Sequence, residues 1–276
     1  RISLLTEGER GRGVVAASAG NHAQGVALAA QLLGVRATVF MPEGATIPKV
    51  QATLAYGADV RFAGSTIDEA LMAAMAYGDE TGAVLIHPFD HRDIVAGQGT
   101  LGLEILQKVP DVRTIVVCTG GGGLLAGIAM AVKSQRPDVR IVGVQAQDAA
   151  AYPGSLAAGH PVALEHMSTM ADGIAVGRPG AVPFAIVRDL VDDIETVTED
   201  EISRAVLLLL ERAKLLVEPA GAAATAAVLA NPKSFGPPVA VVVSGGNVDS
   251  LLLMRIIRHG LAAAGRYLTV TVRVPD

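Results

Sequence analysis

The sequence has no tryptophan, a single cysteine (Cys118) and only five lysines among its 22 basic residues. One cysteine excludes a disulfide framework and a multi-cysteine metal site, and it fits a reducing, cytoplasmic setting. Charge is scarce as well: 18% of residues are charged and 51% hydrophobic, which excludes intrinsic disorder. A net charge of -5 offers no electrostatic footprint for nucleic acid or an anionic membrane surface. Runs suited to bilayer hydrocarbon are missing too. The stretch Val14–Val35 carries Asn21, His22, Gln24 and Gln31, and four successive glycines interrupt Thr114–Val132. Residues Arg1–Arg12 hold no apolar core of a secretory signal. A soluble protein is expected, its apolarity that of a parallel sheet covered on both faces.

What is present is an alternation of short apolar runs with longer helical patterns. At 276 residues the chain has room for two lobes or one large α/β unit, given roughly 100–200 residues per domain. Strands are predicted at Gly13–Ala17, Ala37–Met41, Asp59–Phe62, Val84–His87, Thr114–Cys118, Arg140–Gln145 and Val239–Val243. Helices are predicted near Asn21–Leu33, Ile47–Tyr56, Thr66–Thr81, Ile94–Gln107, Leu124–Gln135, Glu199–Lys214 and Ala220–Leu229. This order argues for an α/β fold with doubly wound parallel sheets and right-handed crossovers. Thr198 and Glu201 have the spacing of a capping box. The chain opens in what reads as the tail of a helix. It closes on an alternating strand pattern, Tyr267–Val274, with no partner of its own. It therefore reads as a piece of something longer.

The strongest local signal is an apolar strand that runs into Gly120–Gly123, with a helix starting near Leu124. Successive glycines let backbone N–H groups turn toward one point, and the helix N-terminus adds its own unpaired donors and dipole. Such a turn suits a phosphate. Leu124–Leu125 denies it the Gly-Lys-Ser/Thr ending of a nucleotide-triphosphate loop. Gly121, Gly123 and Ala126 match a dinucleotide fingerprint, but the next strand ends in Gln145 rather than an acidic ribose ligand. A plain tight turn is the remaining reading. A compact phosphate monoester fits best.

Other segments add donors. SAGNHAQG (18–25) follows the first strand, where Ser18, Gly20 and Asn21 suit either an anionic group such as a carboxylate or a simple helix cap. SGGN (244–247) places Ser244 at the carboxyl end of a strand, where α/β sheets collect ligands. HPFDHRD (87–93) spaces His87 and His91 four apart beside Asp90 and Asp93, a pattern open to metal binding but better read as capping. Cys118 reads as core. Glu218, before Pro219, is in position to project into a cleft.

SAGNHAQG, the tetraglycine loop with Leu124, HPFDHRDIVAGQGT (87–100), ADG (171–173), VEPAG (217–221) and SGGN occur in the order found in one family. Over about Arg1–Gly265 the chain resembles the pyridoxal-phosphate-dependent threonine/serine dehydratases, of which serine racemase is a close relative. The resemblance implies a two-lobed tryptophan-synthase-β-like fold. Residues 1–12 and 91–265 would form a large cofactor-binding domain and 13–90 a small one. RYLTVTVRVPD (266–276) would be the first strand of an ACT regulatory domain, which favours amino-acid feedback of the isoleucine-biosynthetic kind.

By the same resemblance, Gly120, Gly121, Gly122, Gly123 and Leu124 would hold the phosphate of pyridoxal 5'-phosphate. Asn21 would bond the pyridine 3′-oxygen and Ser244 the ring nitrogen, with Gly173, Glu218 and Gly245 beside them. Ser18, Ala19, Gly20, Asn21 and His22 would surround the substrate carboxylate. The implied reaction deaminates L-threonine, and more weakly serine, to a 2-oxo acid and ammonia by α-proton removal and loss of the β-hydroxyl. A homodimer or homotetramer in the cytoplasm would carry it out. Ala19 stands where racemases have a second, proton-donating serine, and Phe89, as in threonine dehydratases, where they have asparagine. Gln145 and Ala151 stand where racemases bind a divalent cation, so no metal is expected, a monovalent ion being left open. The aldimine lysine of the family lies in a Ser-Phe-Lys segment that would end just before Arg1, and Lys49, Lys108, Lys133, Lys214 and Lys233 lack its context. Serine racemase and a non-catalytic paralogue without the lysine are the alternatives.

Overall fold

The computed structural model describes residues 1–268, 270 and 272, with Asp68 described in its backbone alone. A short helix α1 (Glu7–Arg12), closed by a Thr6–Glu9 capping box, leads into strand β1 (Val14–Ala17). Helix α2 (Asn21–Leu32), β2 (Ala37–Met41), α3 (Ile47–Ala55), β3 (Asp59–Phe62), α4 (Ile67–Thr81) and β4 (Val84–Leu85) follow. The strands make one parallel sheet in the order β3-β2-β1-β4, with Val14 opposite Ala37 and Val84. Side chains alternate across it. Val14 and Ala16 pack with Ala23, Val26 and Ala30 of α2, whereas Val15 and Ala17 pack with Ala70 and Ala74 of α4. Both faces are covered, so β1 and β2 are apolar at every position or nearly so.

The second half repeats the plan. It runs through α5 (Arg92–Lys108), β5 (Thr114–Cys118), α6 (Gly123–Lys133), β6 (Arg140–Ala146), α7 (Ala151–Ala158), α8 (Ala181–Leu190) and β7 (Asp193–Val197). Helix α9 (Glu199–Leu208), α10 (Pro219–Ala230), β8 (Val239–Val241) and α11 (Ser250–Ala263) complete it. This sheet is also parallel, in the order β7-β6-β5-β8. Ile115, Val117 and Ile141 face Leu125, Ile128 and Phe184; Val116, Val142 and Val144 face Ile202, Ala205 and the alanines of α10. Two parallel sheets flanked by helices are the predicted α/β architecture.

Several elements depart from the sequence reading. The predicted helix Glu199–Lys214 ends at Leu208, followed by a π-helical turn over Leu209–Ala213 and left-handed Lys214 (φ 59°). That turn reverses the chain so that Val217 and Glu218 reach the sheet. Strand Val84–His87 stops at Leu85 and Val239–Val243 at Val241, because the residues beyond them turn toward the cleft. Helices α7, α8 and α11 and strand β7 were not predicted, although Asp249 caps α11 through the Leu252 N–H. The Thr198–Glu201 capping box is present. Of the terminal strand pattern 267–274, residues 269, 271, 273 and 274 lie outside the described residues. Among the described residues no helix is long and apolar enough to cross a membrane.

Helices α5 and α6 approach through glycine. A Cβ on Gly127 would strike the Val95 carbonyl and the Gly99 N–H, and one on Gly99 would sit 2.9 Å from the Gly127 carbonyl oxygen. Substitution of Gly127 by alanine is expected to lower stability by ~1–3 kcal/mol, the range for overpacked cores, read as a lower urea midpoint.

Candidate active site

The carboxyl ends of the strands open on one cleft, as expected for parallel α/β sheets. β1 leads into Ser18–Gly20 and α2, β5 into the tetraglycine turn and α6, and β8 toward Ser244. A cavity of about 910 Å³ is lined there by Asn21, His22, Leu124, Gly173 and Ser244, with an apolar wall from α2 and α5.

The glycine turn is shaped by two aromatic rings. A Cβ on Gly121 would overlap the Phe89 ring, and one on Gly123 would lie 2.9 Å from the Phe89 Cβ. A Cβ on Gly122 would strike the Tyr152 hydroxyl, and Gly122 has φ +97° besides. Gly120 is closed in by Ile174 and Val176, at 3.1 Å from such a Cβ. Tyr152 is held in turn: its N–H donates to Gln145 Oε1 at 2.9 Å and its hydroxyl lies 3.4 Å from the Gly121 carbonyl. No hydrogen bond to an acceptor among the described residues engages the N–H groups of Gly120, Gly121, Gly122, Gly123 or Leu124. Five consecutive unpaired donors at the start of an 11-residue helix form an anion cradle.

Opposite the cradle, Asn21 Nδ2 donates to Glu218 Oε1 at 2.7 Å, joining α2 to the residue that precedes α10. The Glu218 N–H donates to the Gly245 carbonyl at 3.0 Å, and Gly245 lies so close to Glu218 and Asn21 that a Cβ there would strike the carboxylate. Glu218 is 5% exposed, and burial pushes its carboxyl pKa up against the Asn21 hydrogen bond. Asn21 and the VEPAG and SGGN segments, apart in sequence, thus form one contact. His22 donates from Nε2 to the Ile86 carbonyl at 2.8 Å, and burial holds its pKa down at about 4. Because a carbonyl only accepts, the neutral ring carries its proton on Nε2. The N–H groups of Asn21, His22 and Ala23 have no acceptor among the described residues, while that of Gly20 bonds Ser18 Oγ at 3.0 Å.

The structure therefore brings Asn21, His22, Leu124, Gly173 and Ser244 to one cavity. Gly120–Gly123, Glu218 and Gly245 sit immediately behind them, and Ser18, Ala19 and Gly20 form the turn into α2. Two features were not legible in the sequence. Lys49 of α3 pairs with Asp172 of the ADG segment at 2.7 Å across 123 residues, and no local spacing signals it. Cys118, read as core, has its Sγ 3.0 Å from Ser244 Oγ. In HPFDHRD the histidines serve as caps: His87 Nδ1 accepts from the Asp90 N–H at 2.8 Å and His91 Nδ1 from the Asp93 N–H at 3.1 Å. None of the five lysines lines the cavity.

Residues 1–245 match the model of a family described as pyridoxal-phosphate dependent enzyme. An L-threonine ammonia-lyase of Thermotoga maritima is 48% identical over the whole chain, which spans 69% of that relative. The processed form of threonine deaminase isoform 2 from Solanum lycopersicum superposes with TM-score 0.90 at 37% identity, over 94% of this chain and 76% of that one. A maize serine racemase superposes with TM-score 0.86 at 36% identity, over 95% and 81%.

Two outcomes follow from the geometry. The unfolded chain binds a proton at His22 near the ordinary value of 6.5, whereas the folded chain resists it down to about 4. Stability is therefore expected to fall as pH drops through that window, and His22→Gln to flatten the slope of the urea midpoint between pH 7 and pH 4.5. Gly122→Ala combines a left-handed backbone with a blocked ring and is expected to cost ~2 kcal/mol or more, measured by denaturant unfolding.

Proposed function

This chain belongs to the pyridoxal-phosphate-dependent enzymes, and on that basis we propose that it is the core of an L-threonine ammonia-lyase. It converts L-threonine to 2-oxobutanoate and ammonia, with L-serine as a secondary substrate. The observation that carries the reading is the meeting of Asn21, Ser244 and Leu124, the last of five consecutive unpaired donors, at one cavity. The residues present fit the cofactor: the cradle is closed to any Cβ yet keeps its N–H groups unpaired. The chemistry supplied by bound pyridoxal phosphate is an electron sink that acidifies the α-proton of an amino acid.

The chain's own groups divide the remaining work. The N–H groups of Gly120–Leu124 and the α6 dipole neutralise the phosphate. Asn21, fixed by Glu218, would hold the ring oxygen of the cofactor, and Ser244 its ring nitrogen. A neutral serine there would leave that nitrogen unprotonated, which would favour elimination. Ser18 and the free N–H groups of Asn21 and His22 receive the substrate carboxylate, and the neutral His22 adds no competing charge. Ala19 holds no proton to return to the α-carbon, which favours deamination over racemisation. None of the five lysines lines the cavity, and Lys49, Lys133 and Lys214 are bonded to Asp172, Asp192 and the Glu211 carbonyl. As part of the same proposal the enzyme is a cytoplasmic homodimer or homotetramer, and the 266–276 pattern supports regulation by isoleucine.

The test is made on the full encoded chain loaded with pyridoxal phosphate. L-Threonine is expected to yield 2-oxobutanoate, Ser244→Ala to lower kcat at least ~10-fold, and chiral analysis of L-serine to show pyruvate in excess over D-serine. Absence of 2-oxobutanoate sinks the proposal, and D-serine in excess would replace it with racemisation.

A further inference from the structure

Cys118 is the last residue of β5, directly before the glycine turn, and it is 5% exposed. β5 and β8 run in register, Val116 beside Val241, so the chain beyond β8 brings Ser244 against the end of β5. The Sγ–Oγ separation is 3.0 Å. The thiol belongs to the apolar cluster that includes Val116, Val144 and the α10 alanines, with the Glu218 carboxyl near enough to raise its pKa further. Ser244, by contrast, is exposed and lines the cavity.

The direction of the bond follows from chemistry. Burial pushes the thiol's pKa up, so the sulfur keeps its proton. Sulfur is a weak acceptor, whereas a hydroxyl oxygen offers two lone pairs and a single hydrogen. With the S–H resting on one lone pair of Ser244, the hydroxyl hydrogen is turned away from sulfur and into the cavity.

We propose that Cys118 is a positioning residue: its buried S–H donates to Ser244 Oγ and so presents the Ser244 hydroxyl as a donor to an acceptor in the cavity. The identity of that acceptor, the pyridine nitrogen, rests on the function proposed above. The thiol–hydroxyl bond itself does not.

Cys118 is the single thiol of residues 1–276, and in the full encoded chain its S–H stretching band in the infrared is identified by its loss in Cys118→Ala. The band is expected at the lowered frequency of a bonded thiol and should rise in Ser244→Ala, whose exposed position spares the core. A band that does not move between the two overturns the proposal. The second arm uses the full encoded chain and measures pyridoxal phosphate affinity by fluorescence. Cys118→Ala is expected to weaken binding about five-fold, the effect of one modest hydrogen bond, and Cys118→Ser to retain it. With the analogue that has carbon in place of the ring nitrogen, the Cys118→Ala penalty should vanish, since no acceptor remains. A penalty that persists with the analogue, or that Cys118→Ser shares, shows a merely structural thiol and overturns the proposal. Failure of the wild-type chain to bind pyridoxal phosphate overturns the functional reading and the acceptor together, while the infrared band still decides the bond.

Discussion

The close approach of Phe89 and Tyr152 to Gly121–Gly123 is the contact on which the site depends. Neither ring could lie where it does if the turn carried a Cβ. Phe89 belongs to the connection between the two sheets and Tyr152 to the helix beyond β6, so the turn is gripped from both sides. The rings occupy the side-chain space of the turn, whose backbone donors stay unpaired among the described residues. Helix α6 begins at that point, and its unpaired N–H groups continue the row. A phosphate receptor of this kind is made by removing atoms rather than adding them.

Around that anion receptor, burial shifts several titratable groups toward their uncharged forms. Glu218 and Cys118 have raised pKa values, those of His22 and His87 are lowered, and the Tyr152 phenol is pushed up. Hydrogen bonds from neutral groups, such as Asn21 Nδ2 and the His22 ring, supply much of the orientation there. Beside the Arg1–Asp93 pair, Lys49–Asp172 is an ion pair at the rim. It ties α3 to the segment holding Gly173, and its half-exposed carboxylate makes its net contribution small, about 1 kcal/mol or less.

Much of this was readable in the chain. Buried parallel strands announce themselves as short, continuous apolar runs, which is why β2 and β5 fall where predicted. Thr198 and Glu201 act at helical spacing, so their cap is a local property. The elements that escaped carry weaker signals. β7 is half-exposed and polar, and α7 contains proline and glycine. The break after Leu208 follows from a tertiary demand, since Val217 and Glu218 must turn back toward the sheet.

The sequence by itself determined the alternation of strands and helices, the glycine turn and the order of its motifs, because each depends on neighbours a few residues apart. It also placed Asn21, Glu218 and Ser244 as candidates, each at an element boundary. Only the tertiary structure decided that Asn21 and Glu218 touch, that Lys49 meets Asp172, and that Cys118 lies against Ser244. Those contacts span 197, 123 and 126 residues. Packing of two sheets sets them, and no local periodicity encodes a distance of that kind.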